Sequence, residues 1–236
     1  MTLYFSRVLR EFARRTSRTF KSTETCRRIE PRDELVIVHD SDLPEMPGAV
    51  RGTHIVRDPR DLVVSAYFYH LRTSEAWCAR PNPALRDVPR GTSYREHLRS
   101  MDLEEGLHYE MSHASAGVIQ AMADWDYDDG RFLELRYEEV LGDEPRTFRD
   151  MFRWYGFGER EVRTAVRLAR RFSLARTKWR PRNLLGRGHV RKGTRIGGWR
   201  RYFTPDLERE FMNHYGDILT FLGYDQALGV RAWGAP

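Results

Sequence analysis

The sequence predicts an α/β fold in which a parallel sheet is flanked by helices, in a single domain over residues 1–236. Three observations carry that expectation. Short apolar runs rich in β-branched residues at Leu35–Val38 and at residues 53–56 read as buried strands, because strands covered on both faces lose the polar–apolar alternation. Segments with helical spacing alternate with these runs and with a third strand candidate at 132–137. A chain of 236 residues, 40% of them hydrophobic, has enough apolar material for one core, and no repeat, low-complexity stretch or linker divides it.

In chain order, residues 3–20 carry Leu3, Tyr4, Val8, Leu9, Phe12 and Ala13 on one face of a 3.6-residue period, with arginines opposite, and predict an opening helix. After the strand at 53–56, Arg57 stands at its C-terminal edge. Asp58 is a suitable N-cap and Pro59 suits the first turn of a helix through 61–71. Residues 79–95, with three prolines and a glycine, read as a surface excursion. Helical spacing resumes over 109–124, before the 132–137 strand. Phe148, Met151, Phe152, Val162, Val166 and Leu168 predict two further helices, and 207–221 a last amphipathic one.

Composition excludes several classes. No apolar run approaches the roughly 18 residues needed to cross a bilayer, and mean hydropathy is −0.67. The first 15 residues are charged every few positions, unlike a signal peptide, so a cytoplasmic protein is expected. Cys26 and Cys78 make neither a disulfide framework nor a metal spacing, and read as packing residues. The net charge of +6 is modest, but 37 of the 40 cations are arginine. A GC-rich genome accounts for that bias most simply. From Arg163 to Arg201, however, 14 Arg and Lys residues run without an Asp or Glu, a tract that repels itself unless an anion lies against it.

A strand delivering Arg57 to the start of a helix places a cation beside free N–H groups and the positive end of a helix dipole, the usual ligand crevice of an open α/β sheet. Ser65 lies about two turns along that helix. Alternatively, Arg57 pairs with Asp58 or Asp61 and Ser65 merely packs.

RDPRDLVVSAYFYH resembles the 3′-phosphate motif of sulfotransferases that use 3′-phosphoadenosine 5′-phosphosulfate (PAPS). LRYEEVLGDEPRTFRDMFRWYGF is similar to the family's Tyr-Glu-Asp/Glu segment and the helix after it. HVRKGTRIGGWRRYFTPDLEREF is similar to its C-terminal Arg-Lys-Gly loop, followed by Gly, Trp and a Phe-Thr helix start. The motifs occur in the family's order over about four fifths of the chain, from Leu35 to Tyr224.

The resemblance implies a P-loop NTPase-like fold and transfer of a sulfuryl group to an acceptor hydroxyl or amine, leaving adenosine 3′,5′-bisphosphate, with no metal. It makes Arg57, Ser65, Arg191, Lys192 and the Gly193 backbone ligands of the 3′-phosphate. Tyr137 would border adenine, with core burial at a strand end as its alternative, and Ser173-Leu174 falls near the family's Ser/Thr-aromatic pair. His39, ending LVIVHD and followed by Leu43-Pro44, matches the family's general base, and an imidazole with an ordinary pKa near 6.5 suits removal of an acceptor proton. Val38 replaces the lysine that precedes it in the family. The resemblance also implies a small-molecule acceptor, with Trp77, Tyr94, His108 and Tyr109 favouring an aromatic or apolar alcohol, and no nucleic-acid partner.

The family's opening strand and its Pro-Lys/Arg-Ser-Gly-Thr/Ser-Thr loop for the 5′-phosphosulfate have no counterpart in these 236 residues, and MTLYFSRVLREFARR resembles the helix that follows that loop. The first strand and phosphate loop are therefore expected to be missing, by a start placed too late or by true loss, and the chain as given to be nearly inactive. Other readings are a non-catalytic nucleotide binder, a nucleotide kinase without a visible Walker lysine, and a basic nucleic-acid module stacking bases on Trp179, Trp199 and Tyr202.

Overall fold

The computed structural model describes residues 2–39, 50–173 and 196–225. In chain order these form α1 (Thr2–Thr16), β1 (Phe20–Thr23), β2 (Leu35–Val38), β3 (Gly52–Val56), α2 (Pro59–His70), α3 (Ala76–Ala79), α4 (Tyr94–Ser100), α5 (Leu103–Ser112), α6 (Ala114–Asp124), β4 (Phe132–Arg136), α7 (Tyr137–Gly142), α8 (Glu144–Trp154), α9 (Glu159–Phe172) and α10 (Pro205–Phe221). The α/β expectation holds, and every strand pair among the described residues is parallel: β1 with β2, and β3 with β4.

The described residues fall into two compact units. The first comprises residues 2–39, 50–56 and 127–173. Its core is built by α1, α8 and α9, with Phe12, Phe148 and Phe152 fully buried, and the partly buried Phe20, Ile37, Ile55, Leu133 and Leu135 of the strands pack against them. Phe12 and Phe152 meet edge-on at 4.6 Å between ring centroids, the arrangement aromatic quadrupoles favour. The strands are more open than their apolar runs predict: Leu35 alone is buried in β2 and Val56 alone in β3.

The opening helix is shorter than its periodicity suggests. It ends at Thr16, because Ser17 takes a left-handed φ of 54° that turns the chain into β1. Its buried face holds Tyr4, Phe5, Val8, Leu9, Phe12 and Ala13, whereas Leu3 is exposed. β1, sequence FKST, has too little apolar content to read as a strand. Its register with β2 is held beside it, where Lys21 Nζ bonds Asp33 Oδ2 at 2.9 Å, and Thr19 and Glu34 exchange two hydrogen bonds of 2.9 Å.

The second unit comprises residues 57–126 and 196–225. Val63, Leu98, Leu107, Met111, Ile119, Phe211 and Leu219 are buried there with Trp199. The 109–124 stretch is two helices, broken at His113, whose φ and ψ of −120° and −96° are not helical. Fully buried Glu110 is the polar hub of this core. It accepts bonds from Tyr94 Oη (3.0 Å) and Ser115 Oγ (2.8 Å) and pairs with His70 Nδ1 at 2.8 Å. A buried carboxylate is tolerated only when it is satisfied in this way.

Candidate active site

In the first unit, the C-terminal ends of β1 and β2 carry the candidate base. The His39 backbone N–H donates to Thr23 O at 3.0 Å, continuing the parallel ladder one residue past β2. The side chain is exposed, and its Nε2 lies 2.7 Å from Ser22 Oγ. Ser22 belongs to the strand that sequence reasoning passed over, so this partner of His39 was missed. Tyr137 is not the last residue of a strand: β4 ends at Arg136, and Tyr137 opens α7 with its side chain buried.

In the second unit, the sequence RDPRD builds the start of α2. Asp58 caps it, accepting the Arg60 backbone N–H at 2.9 Å, and Pro59 fills the first helical position. The same carboxylate is gripped bidentately by the Arg60 guanidinium at 3.0 and 2.9 Å. One of the helix's free N–H groups is thus taken by the protein's own carboxylate. Ser65, half-buried, has no hydrogen-bond partner among the described residues, which leaves its hydroxyl available to a ligand.

Asp61, in the first turn of α2, reaches the chain 136 and 138 residues further on. Its Oδ2 accepts the Gly197 N–H at 2.7 Å and its Oδ1 the Trp199 N–H at 2.9 Å. Burial pushes its carboxyl pKa up, opposed by these two N–H donors and by the charge of Arg57. Gly197 supplies the φ of +66° that the turn requires, and a Cβ there would meet Arg200 Nη1 at 2.7 Å. The Trp199 indole is covered by two guanidiniums, Arg60 at 4.2 Å and Arg200 at 4.5 Å from the ring centroid. Arg60 also donates to the Tyr224 carbonyl at 2.7 Å, tying the end of α10 to the same point.

Arg191, Lys192, Gly193 and Leu174 lie outside the described residues, as does Trp179. Of the arginines of the acid-free tract, Arg163, Arg167 and Arg170 stand on α9 of the first unit, and Arg200 and Arg201 belong to the second. Trp199 is buried under its two arginines, so base stacking on it is unavailable, and Tyr202 packs on Phe68 at 5.1 Å. Of the residues expected beside an acceptor, Tyr94 is instead core, held by Glu110, while His108 and Tyr109 line an open groove with Met101, Glu104 and Glu105. Among the described residues no group of His, Cys, Asp and Glu could hold a metal, and no helix is long and apolar enough to cross a membrane.

A family model for the sulfotransferase domain matches residues 46–223, three quarters of the chain. The chain therefore belongs to the sulfotransferase domain family. Two solved structures similar to it are mouse sulfotransferase SULT7A1 complexed with PAP (19% identity, 91% of this chain and 79% of that one, TM-score 0.48) and retinol dehydratase in a complex with retinol and PAP (18% identity, 87% and 57%, TM-score 0.47). No curated protein matches.

Proposed function

We propose that this chain is a single sulfotransferase-like domain that recognises the PAPS nucleotide by its 3′-phosphate. The observation that carries the reading is the pair of hydrogen bonds that the Gly197 and Trp199 N–H groups donate to the Asp61 carboxylate. It ties the residues that follow the Arg191-Lys192-Gly193 sequence to the first turn of α2, four residues after Arg57. The three cations and Ser65 then serve one phosphate, each charged hydrogen bond contributing about 1.5–3 kcal/mol. Tyr137 borders the adenine.

PAPS supplies the sulfuryl group. His39 takes the proton of the acceptor hydroxyl or amine. With Ser22 Oγ at Nε2, the tautomer that donates from Nε2 to Ser22 leaves the Nδ1 lone pair as the base. The open groove at Met101, His108 and Tyr109 supports a small acceptor with an aromatic or apolar body.

Thermal unfolding with adenosine 3′,5′-bisphosphate, against adenosine 5′-monophosphate at equal concentration, tests the reading. At a hundredfold excess over Kd the bisphosphate raises Tm by about 5–10 °C for a chain of this size. Equal shifts from the two nucleotides would overturn it.

A further inference from the structure

We infer that the groove between α8 and α9 is a docking surface for a linear anionic polysaccharide. It takes up the start of the arginine-rich tract, Arg163 to Arg170, which the nucleotide reading leaves unused. Arg160, Arg163, Arg167 and Arg170 recur along α9 at the spacing of one helix face, and Arg149 and Arg153 stand one turn apart on α8. All six line one groove.

Among the described residues its only acid is Glu159, whose carboxylate pairs with Arg153 at 2.9 Å. Arg149, Arg160, Arg163, Arg167 and Arg170 make no ion pair among the described residues. Like charges one turn apart repel by a few tenths of a kcal/mol per pair, and here nothing in the described chain offsets them. The adjoining side of α9 is committed, with Val162, Ala165, Val166, Leu168 and Ala169 in the core, so the arginines are not spare charge on a loose helix. They are a fixed array about 15 Å long from Arg160 to Arg170.

The lining selects among polyanions. Among the described residues no aromatic side chain lines the groove, so they offer none of the stacking platform that holds single-stranded nucleic acid. The two valines that line it, Val162 and Val166, are buried, leaving nothing to insert into a bilayer. A sugar chain bearing sulfates or carboxylates meets these conditions, its anionic groups taken bidentately by guanidinium forks.

The test is binding of the full chain to immobilised heparin, with neutral dextran, oligo-dT and phosphatidylserine vesicles as competing probes. The expected result is heparin binding that weakens with salt, is not displaced by dextran, and is displaced less well by oligo-dT and vesicles than by free heparin. Arg163→Glu with Arg167→Glu lowers affinity by at least about tenfold, as reversing two charges in one anion site should. Arg209→Glu, on the exposed face of α10, leaves it unchanged. Should the double reversal fail to fold, Arg160→Gln with Arg170→Gln gives the same loss in milder form. Unchanged affinity in the folded groove variants, or stronger displacement by oligo-dT or vesicles than by heparin, would overturn the inference. None of these residues is assigned to the nucleotide, so retained nucleotide binding in the variants separates the two readings.

Discussion

The carboxylate of Asp61 accepts the backbone N–H of Trp199 at 2.9 Å while its other oxygen holds Gly197 at 2.7 Å. One side chain thus closes a loop of more than 130 residues onto the start of α2. Asp61→Ala removes both acceptors and leaves two N–H groups without their partner, at about 1–3 kcal/mol each. Urea unfolding should show a loss of about 2–6 kcal/mol for the two together. Asp61→Asn, which keeps one carbonyl oxygen, loses less.

The same pair of proteins gives a pH dependence with a defined sign. Burial raises the Asp61 pKa in the folded state, so this group's contribution is full below the ordinary carboxylate pKa and declines as pH rises through the raised value. The stability of wild type relative to Asp61→Asn should therefore fall as pH goes from about 4 upward. Unfolding midpoints of both proteins across that window check the direction, and a relative gain with rising pH would contradict it.

Ser22 Oγ lies 2.7 Å from His39 Nε2. Ser22→Ala frees that nitrogen and should shift the tautomer balance of the ring, read from its ¹⁵N chemical shifts. Ser22→Thr keeps the hydroxyl and should restore the wild-type spectrum. Identical spectra for wild type and Ser22→Ala would remove Ser22 from the site.

Glu110 has no exposure and three side-chain partners. Glu110→Ala strands His70, Tyr94 and Ser115 in an apolar core and should destabilise by about 3–5 kcal/mol, the range for breaking a buried charged network. Glu110→Gln, similar in shape, should lose less. Both are measured by urea unfolding.

Cys78 sits in the same neighbourhood, and burial, aided by the Glu110 charge, pushes its thiol pKa up to about 11. At pH 8 it is protonated and fully covered, so a disulfide reagent should leave it unmodified in the native protein and label it in urea. Cys26, also buried, should behave alike. Stoichiometric labelling of the native protein would contradict the packing described for both.

Much of this was legible in the residues. Asp58-Pro59 announces a capped helix because cap chemistry is local, and the structure places both where the sequence does. α8, α9 and α10 follow from apolar periodicity, which long amphipathic helices make plain. β1 was not legible: FKST has one apolar residue in four, and its strand character comes from pairing with β2 and from the Lys21–Asp33 bond. The end of α1 depends on a left-handed Ser17, which no residue preference announces. Ser22 and the long-range bonds of Asp61 escaped for a related reason. Each acts on a partner that only tertiary structure brings near, across 17 residues for one and 138 for the other.

The nucleotide reading meets its most direct test in a calorimetric titration of wild type and Arg57→Ala with adenosine 3′,5′-bisphosphate and with adenosine 5′-monophosphate, at two salt concentrations. Wild type should bind the bisphosphate at least about tenfold more tightly than the monophosphate, and Arg57→Ala should lose about 10–100-fold, the worth of one charged hydrogen bond to the 3′-phosphate. Equal affinity for the two nucleotides, or an Arg57→Ala variant that binds the bisphosphate as wild type does, would contradict recognition through that phosphate.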